Sequence, residues 1–183
     1  MTVRQPWAWA IIHAGKNVEN RVRNIAGDYR GPVLIHAGIA YDTAWSSPAL
    51  YDAMHATGVH RRRGEYPWHL NHGAIIGVVD LVDSHPVESC IEQQQDGDWL
   101  VCSAWAERAG HHLVLTNPRA LDELIPYTGA LGLRKAPFEV VGDWLAEYYP
   151  DRCTCGQSGI AGPHEPGCGL EPVAQLLNPG VTL

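Results

Sequence analysis

The chain has 183 residues, 45% of them apolar and 18% charged, with a formal net charge of −7 at pH 7. This length suits one ordinary domain plus an appendage, and the acidic balance argues against non-specific nucleic-acid binding, whose affinity comes from neutralising phosphates. No run of about 18 uncharged apolar residues predicts a membrane span. The opening Met-Thr-Val-Arg-Gln-Pro-Trp lacks a charged segment leading into an apolar one, so a cytoplasmic protein with reduced thiols is expected.

Residues 2–4 read as a short extended segment, and Pro6 suits a first helical turn. Trp7, Ala10, Ile11 and Ala14 then follow helical spacing to a stop at Gly15. Residues 17–23 read as a strand, with Val18 and Val22 on one face and Asn17, Glu19, Arg21 and Arg23 on the other. A polar face this early in the chain lies in water or along a cleft, and Lys16 stands at the bend before it. After a loop over 24–31, the apolar run 32–37 predicts a buried strand. Ser47 and Pro48 supply the N-cap and first turn of a short helix that ends before Gly58.

Residues 59–72 are polar and irregular. Residues 74–82 are almost continuously apolar and predict a central strand. Asp80 interrupts that run, and a buried carboxylate there calls for a cationic partner. Residues 99–105 and 112–115 predict two further strands joined near Gly110. Residues 118–130 read as a turn-rich excursion marked by Pro118, Pro126 and Gly129, followed by a short returning strand at 131–134. A helix is expected over 138–148, between Pro137 and Pro150. Near residue 150 the composition shifts to Cys, Gly and Pro, which predicts domains at 1–149 and 150–183.

Lys16, Glu19 and Arg21 fall within six residues, and the only other lysine is Lys135. Such a group at the edge of a buried element is a structural ion network or a site. Arginines cluster at Arg21, Arg23 and Arg30 and again at Arg61, Arg62 and Arg63. Arginine suits bidentate and stacking contacts with phosphates and bases, although the second run also reads as a solvated loop. Trp7 is either core or a stacking surface for a base, and His36 reads as a core histidine. Cys90 and Cys102 belong to no motif and read as inert. No serine, threonine or cysteine stands in a nucleophile's context, and no glycine-rich phosphate loop is present.

The order of these pieces carries a resemblance. Lys16-x-x-Glu19-x-Arg21 follows the first helix, with Ala14 where a glycine is expected. Arg4-Gln5-Pro6-Trp7, Tyr29-Arg30-Gly31-Pro32, Leu34-Ile35-His36-Ala37, Asn117-Pro118-Arg119 and Gly129-Ala130-Leu131-Gly132-Leu133 accompany it. Over residues 2–148 the chain resembles the ASCH domain family of the PUA-like group. The resemblance implies an α+β fold, a small mixed PUA-like β-barrel flanked by helices, with a cleft that binds RNA or a modified nucleoside or nucleotide. It places Lys16, Glu19 and Arg21 in that cleft, and stacking and arginine chemistry add Trp7, Arg23 and Arg30 as further candidate binding residues. The family includes an amidohydrolase of N(4)-acetylcytidine that uses the motif lysine, a threonine three residues later and a glutamate on a later strand. Those positions hold Lys16, Glu19 and Asp80 here, so a hydrolase of an acylated nucleoside, or of RNA, is the alternative expectation. A carboxylate would then act as base while the lysine stabilises an oxyanion.

The tail poses a separate question. Cys153, Cys155, His164 and Cys168 form a Cys-x-Cys followed by a His-x-x-x-Cys. Three thiolates and an imidazole make a closed tetrahedral set for a structural zinc ion. The alternatives are a flexible tail with free thiols and a module that docks a protein partner.

Overall fold

The computed structural model describes residues 1–43, 47–59, 66–69, 71–94 and 99–134. The expected helix at 138–148, the run Arg61, Arg62 and Arg63, the boundary near 150, and the tail set Cys153, Cys155, His164 and Cys168 lie outside the described residues. The first compact unit is Met1–Gly132.

Its elements are β1 (Thr2–Gln5), α1 (Trp7–His13), β2 (Val18–Arg21), β3 (Gly31–Tyr41), α2 (Pro48–Ala56), β4 (Ala74–Pro86), β5 (Glu92–Gln93), β6 (Trp99–Leu100) and β7 (His111–Pro126). Five of the strands form one sheet in the order β1-β3-β4-β7-β2, and β5 and β6 make a separate two-stranded ribbon. β1 runs parallel to β3, while the other pairs in the sheet are antiparallel. The α+β class is as expected. The sheet is not closed into a barrel: β1 and β2 are its edges. A side chain bridges them where no backbone ladder among the described residues does, because Arg21 Nη2 on β2 donates to the Thr2 carbonyl on β1 at 2.8 Å. No described helix is long and apolar enough to cross a membrane.

The buried apolar runs of β3 (Val33, Leu34, Ile35) and β4 (Ile75, Ile76, Val78, Val79) form the middle of the sheet. Continuous apolar sequence suits strands covered on both faces. Helix α1 buries Trp9, Ala10 and Ile11 and sets Ile12 against Gly77. Its N-terminus is capped from outside the helix: the fully buried Gln5 side chain accepts the Trp9 N–H at 3.0 Å and donates to the Asn71 carbonyl at 2.6 Å. This gives a partner to one of the donors that a helix start leaves unpaired. On its other side α1 shares an aromatic cluster with Leu50 and Met54 of α2. There the Trp68 ring sits 5.1 Å from Trp9 and stacks on Tyr66 at 4.5 Å.

Four local expectations are corrected. The early strand is Val18–Arg21 rather than 17–23, and Val22 is 96% exposed, since β2 ends where its pairing with β7 ends. Ser47 is at the N-cap position but makes no side-chain capping bond. The stretch 99–105 is a strand only at Trp99–Leu100. Beyond it, side chains rather than a ladder hold the chain: Ser103 Oγ donates to Asn17 Oδ1 at 2.6 Å, and Asn20 Nδ2 donates to the Trp105 carbonyl at 2.9 Å. The fourth correction is the largest. Residues 118–130 are not a turn-rich excursion, because β7 continues to Pro126, and 131–134 form no returning strand. Bulges accommodate the proline that suggested a break. Asp80 pairs with Thr116 and Val78 with Arg119, so Asn117 and Pro118 together face the single residue Val79. Asn117 takes φ 51° there, and Pro118 occupies a place where no ladder donor is required.

A Cβ built on Gly77 would lie 2.5 Å from the Arg119 carbonyl oxygen and 2.6 Å from Ile12 Cδ1. Gly77→Ala is therefore expected to destabilise the domain by about 1–3 kcal/mol through overpacking. Urea unfolding followed by tryptophan fluorescence checks this, and an unchanged midpoint would mean that α1 does not pack this closely on the sheet.

Candidate functional site

The end of α1 delivers Lys16. The Ala10 carbonyl accepts from both Ala14 N and Lys16 N at 3.0 Å, and Gly15 turns the chain with φ 70°. Such a left-handed turn favours glycine, and it sends the Lys16 side chain inward, where the residue is only 4% exposed. Lys16 Nζ donates to the Val18 carbonyl, lies 3.4 Å from Glu19 Oε2, and sits 5.9 Å from the centre of the Trp7 ring. Burial pushes the Lys16 ammonium below its usual pKa of 10.5, against the opposing pull of the Glu19 carboxylate.

Glu19 is itself buried. Its second oxygen, Oε1, meets Arg21 Nη2 at 3.1 Å. Arg21 thus divides its donors between Glu19 and the Thr2 carbonyl, while its Nε is buried with no hydrogen-bond partner. Trp7 is fixed by its indole N–H, which donates to Asp42 Oδ2 at 2.9 Å. On β2, between Glu19 and Arg21, Asn20 grips the chain after β6: its amide donates to the Trp105 carbonyl and its Oδ1 accepts the Glu107 N–H at 3.0 Å.

Across the seam, His36 on β3 shares a hydrogen bond with the Tyr127 carbonyl at 2.9 Å through Nε2, and its Nδ1 is buried without a partner. A Cβ on Gly129 would lie 2.6 Å from His36 Cε1, so the backbone there packs directly on the imidazole. Burial lowers the His36 pKa from its usual 6.5, only partly offset by the Tyr127 carbonyl.

These groups line one open cleft of about 1680 Å³ along the gap between the edge strands. Trp7, Lys16, Glu19 and Arg21 meet there as the sequence suggested, joined by Arg4, His36, Asp42, Trp105 and Tyr127. Arg23 is exposed, and neither it nor Arg30 is among the lining residues. Arg30 instead bonds the Tyr29 carbonyl at 2.8 Å and lies 3.5 Å from Asp83. Asp80 has its cationic partner in Arg119 at 2.8 Å, and Asn117 donates to it as well. It does not line the cleft, which separates it from Lys16 and Glu19. Asn20, Asp42 and Trp105 carried no sequence signal of a site, because what brings them to it is long-range pairing.

The chemistry of the cleft is that of two cations held by one buried carboxylate, beside aromatic surface and a neutral-leaning imidazole. It can contact phosphate, stack a base and donate hydrogen bonds to a carbonyl. Away from the cleft, His85, Cys90, Cys102 and His112 place their ligand atoms within 4.8 Å of one another and can hold a metal ion.

The family model described as the ASCH domain matches residues 1–124. No curated protein is a significant match to the chain.

Two outcomes are expected of the site's electrostatics. Glu19→Gln leaves Lys16 and Arg21 without their shared anion and should cost about 3–5 kcal/mol, the range for breaking a buried pair from one side. Chemical denaturation checks this, and a loss under about 1 kcal/mol would mean the network is solvent-screened. For His36 the folded pKa lies below 6.5, so the unfolded chain takes up the proton more readily. Its stabilising contribution is complete above 6.5 and is lost as pH falls through the window between 6.5 and the lower folded value. Urea midpoints measured from about pH 7 down to about pH 5 should fall for the parent and fall less steeply for His36→Gln.

Proposed function

Because the chain belongs to the ASCH domain family, we propose that its cleft binds RNA or a modified nucleotide. The supporting observation is the convergence of Trp7, Lys16, Glu19 and Arg21 on one cavity at the seam of the sheet. The Trp7 ring gives a base a stacking surface, and Arg21 and the exposed Arg4 supply donors for phosphate. With a net charge of −7, and three cationic side chains along the cleft among the described residues, the reading favours a nucleotide or a short single strand over a long duplex.

A second reading is supported by the burial of Lys16 against Glu19 in the same cleft. Desolvated lysines beside carboxylates suit acyl chemistry. Glu19 would take a proton from an attacking water while Lys16 holds the oxyanion formed at the amide carbonyl of an N(4)-acylated cytidine; the oxyanion then collapses, the C–N bond breaks, Glu19 returns the proton to the leaving N4 amine, and cytidine and the carboxylic acid depart. Asp80, engaged by Arg119, has no part in that step. The tail residues Cys153, Cys155, His164 and Cys168 are proposed as a structural zinc set on ligand chemistry alone.

Fluorescence anisotropy with a labelled short single-stranded RNA tests the binding reading. Trp7→Ala should weaken binding by about 1–3 kcal/mol, the worth of one stacked base. With roughly three phosphate contacts the log–log salt slope should be about −2. Equal affinity for the parent, Trp7→Ala and Arg21→Ala, with folding verified by circular dichroism, would remove the cleft as the binding site. Incubation with N(4)-acetylcytidine decides the second reading: release of cytidine that disappears in Lys16→Ala makes the protein a hydrolase.

A further inference from the structure

At the opposite end of β2 from Lys16, four side chains from separate elements converge. His85 comes from the end of β4, Cys90 from the C-cap of the short 3-10 turn Val87–Ser89, Cys102 from the loop after β6, and His112 from the start of β7. We propose that His85, Cys90, Cys102 and His112 bind a zinc ion as a closed, tetrahedral structural site.

The ring orientations set both histidines up as ligands. His112 Nε2 lies 2.8 Å from the Glu107 carbonyl, which can only accept, so Nε2 carries the proton and Nδ1 presents its lone pair. Both sulfurs face that lone pair, Cys90 Sγ and Cys102 Sγ each 3.3 Å from it. One lone pair satisfies one S–H donor well and leaves the second thiol poorly matched. A cation between them satisfies all three. His85 is built the same way. Its Nδ1 meets Asp83 Oδ2 at 2.6 Å, so Nε2 is left as the ligand nitrogen, and it is buried with no hydrogen-bond partner. Carboxylate and carbonyl partners on the far nitrogen are the usual arrangement behind metal-bound histidines. Arg30, which does not reach the cleft, approaches Asp83 at 3.5 Å and completes this support.

The spacing also fits. Zinc bonds of about 2.3 Å to sulfur and about 2.0–2.1 Å to nitrogen put tetrahedral ligands roughly 3.3–3.8 Å apart. The observed 3.3 Å sulfur–nitrogen contacts are at the short end of that range, and the span of 4.8 Å closes onto it with small side-chain shifts. Two thiolates and two imidazoles favour zinc over the oxygen-seeking cations. On binding, the two thiols release two protons to solvent and the imidazoles release none, leaving a neutral centre. Four protein ligands leave no position for water, so the ion holds structure. What it holds is the chain from Cys102 to His112, which carries Trp105 and Glu107 to the cleft wall.

The full chain, expressed without chelator and kept reduced, is analysed for metals by inductively coupled plasma mass spectrometry. A tail variant, Cys153→Ser with Cys155→Ser and Cys168→Ser, separates this site from the tail set. It should retain about one zinc per chain, and adding Cys90→Ser and Cys102→Ser should remove that zinc. Because the five-fold variant can lose zinc simply by failing to fold, cobalt(II) is also titrated into the chelator-stripped tail variant. A thiolate-to-cobalt charge-transfer band with tetrahedral ligand-field intensity is expected, since Cys90 and Cys102 are then the only cysteines present. A metal-free tail variant that shows no such band overturns the proposal. So does zinc content unchanged by loss of Cys90 and Cys102, or a Cys90–Cys102 disulfide that takes up no metal after reduction.

Discussion

Glu19 holds a cation at each of its carboxylate oxygens, Lys16 at 3.4 Å on one and Arg21 at 3.1 Å on the other. Two cations and one anion in a site this buried are costly unless the charges are paired. The surrounding backbone therefore contributes: the Val18 carbonyl takes a Lys16 proton and the Thr2 carbonyl takes one from Arg21. That last bond makes the network part of the architecture. Thr2 and Arg21 belong to the two edges of the sheet, so the ion cluster stands where a barrel would close with a backbone ladder. A ladder would fill the seam, whereas side chains span it and leave room beneath. The cleft is the space that this substitution creates.

The rest of the site follows from keeping that gap open but bounded. Trp7 and Asp42 border it from the α1 side, and His36 with the 127–129 backbone borders it from β3. The third wall is the chain after β6, which belongs to no sheet. It is held by Asn17 and Asn20 from one side, and from the other by the hydrogen bond between His112 and the Glu107 carbonyl. The proposed zinc centre and the cleft are thus two ends of one device: residues 102–112 run from a ligand sulfur, past the aromatic wall, to a ligand nitrogen.

How much of this was legible in the sequence depended on the range of the interaction. The helix from Trp7, the apolar strands β3 and β4 and the Lys16, Glu19 and Arg21 group were visible because each is written in residues close along the chain. The demand of Asp80 for a cation was visible too, although not that Arg119 would meet it. Pro118 misled because a proline reads as a break unless the bulge that accommodates it is known, and that bulge depends on the pairing of β7 with β4 on either side of Val79. Cys90 and Cys102 read as inert for a similar reason. His85, Cys90, Cys102 and His112 have no compact spacing, and only the pairing of β4 with β7, which sets His85 opposite His112, brings the two histidines together.

That long pairing also governs the order in which the molecule can assemble. Among the described residues β2 has a single partner, β7, and Glu19 sits opposite Leu113, about 94 residues downstream. Contacts of such separation must meet the entropy of closing a long loop before they return any stability, which slows folding. On a ribosome the chain emerges from its N-terminus, so Lys16, Glu19 and Arg21 leave the exit tunnel well before the strand that seats them. Until β7 arrives the three charges are hydrated and β2 is an unpaired segment. The seam, and with it the cleft, therefore requires β7 to be in place.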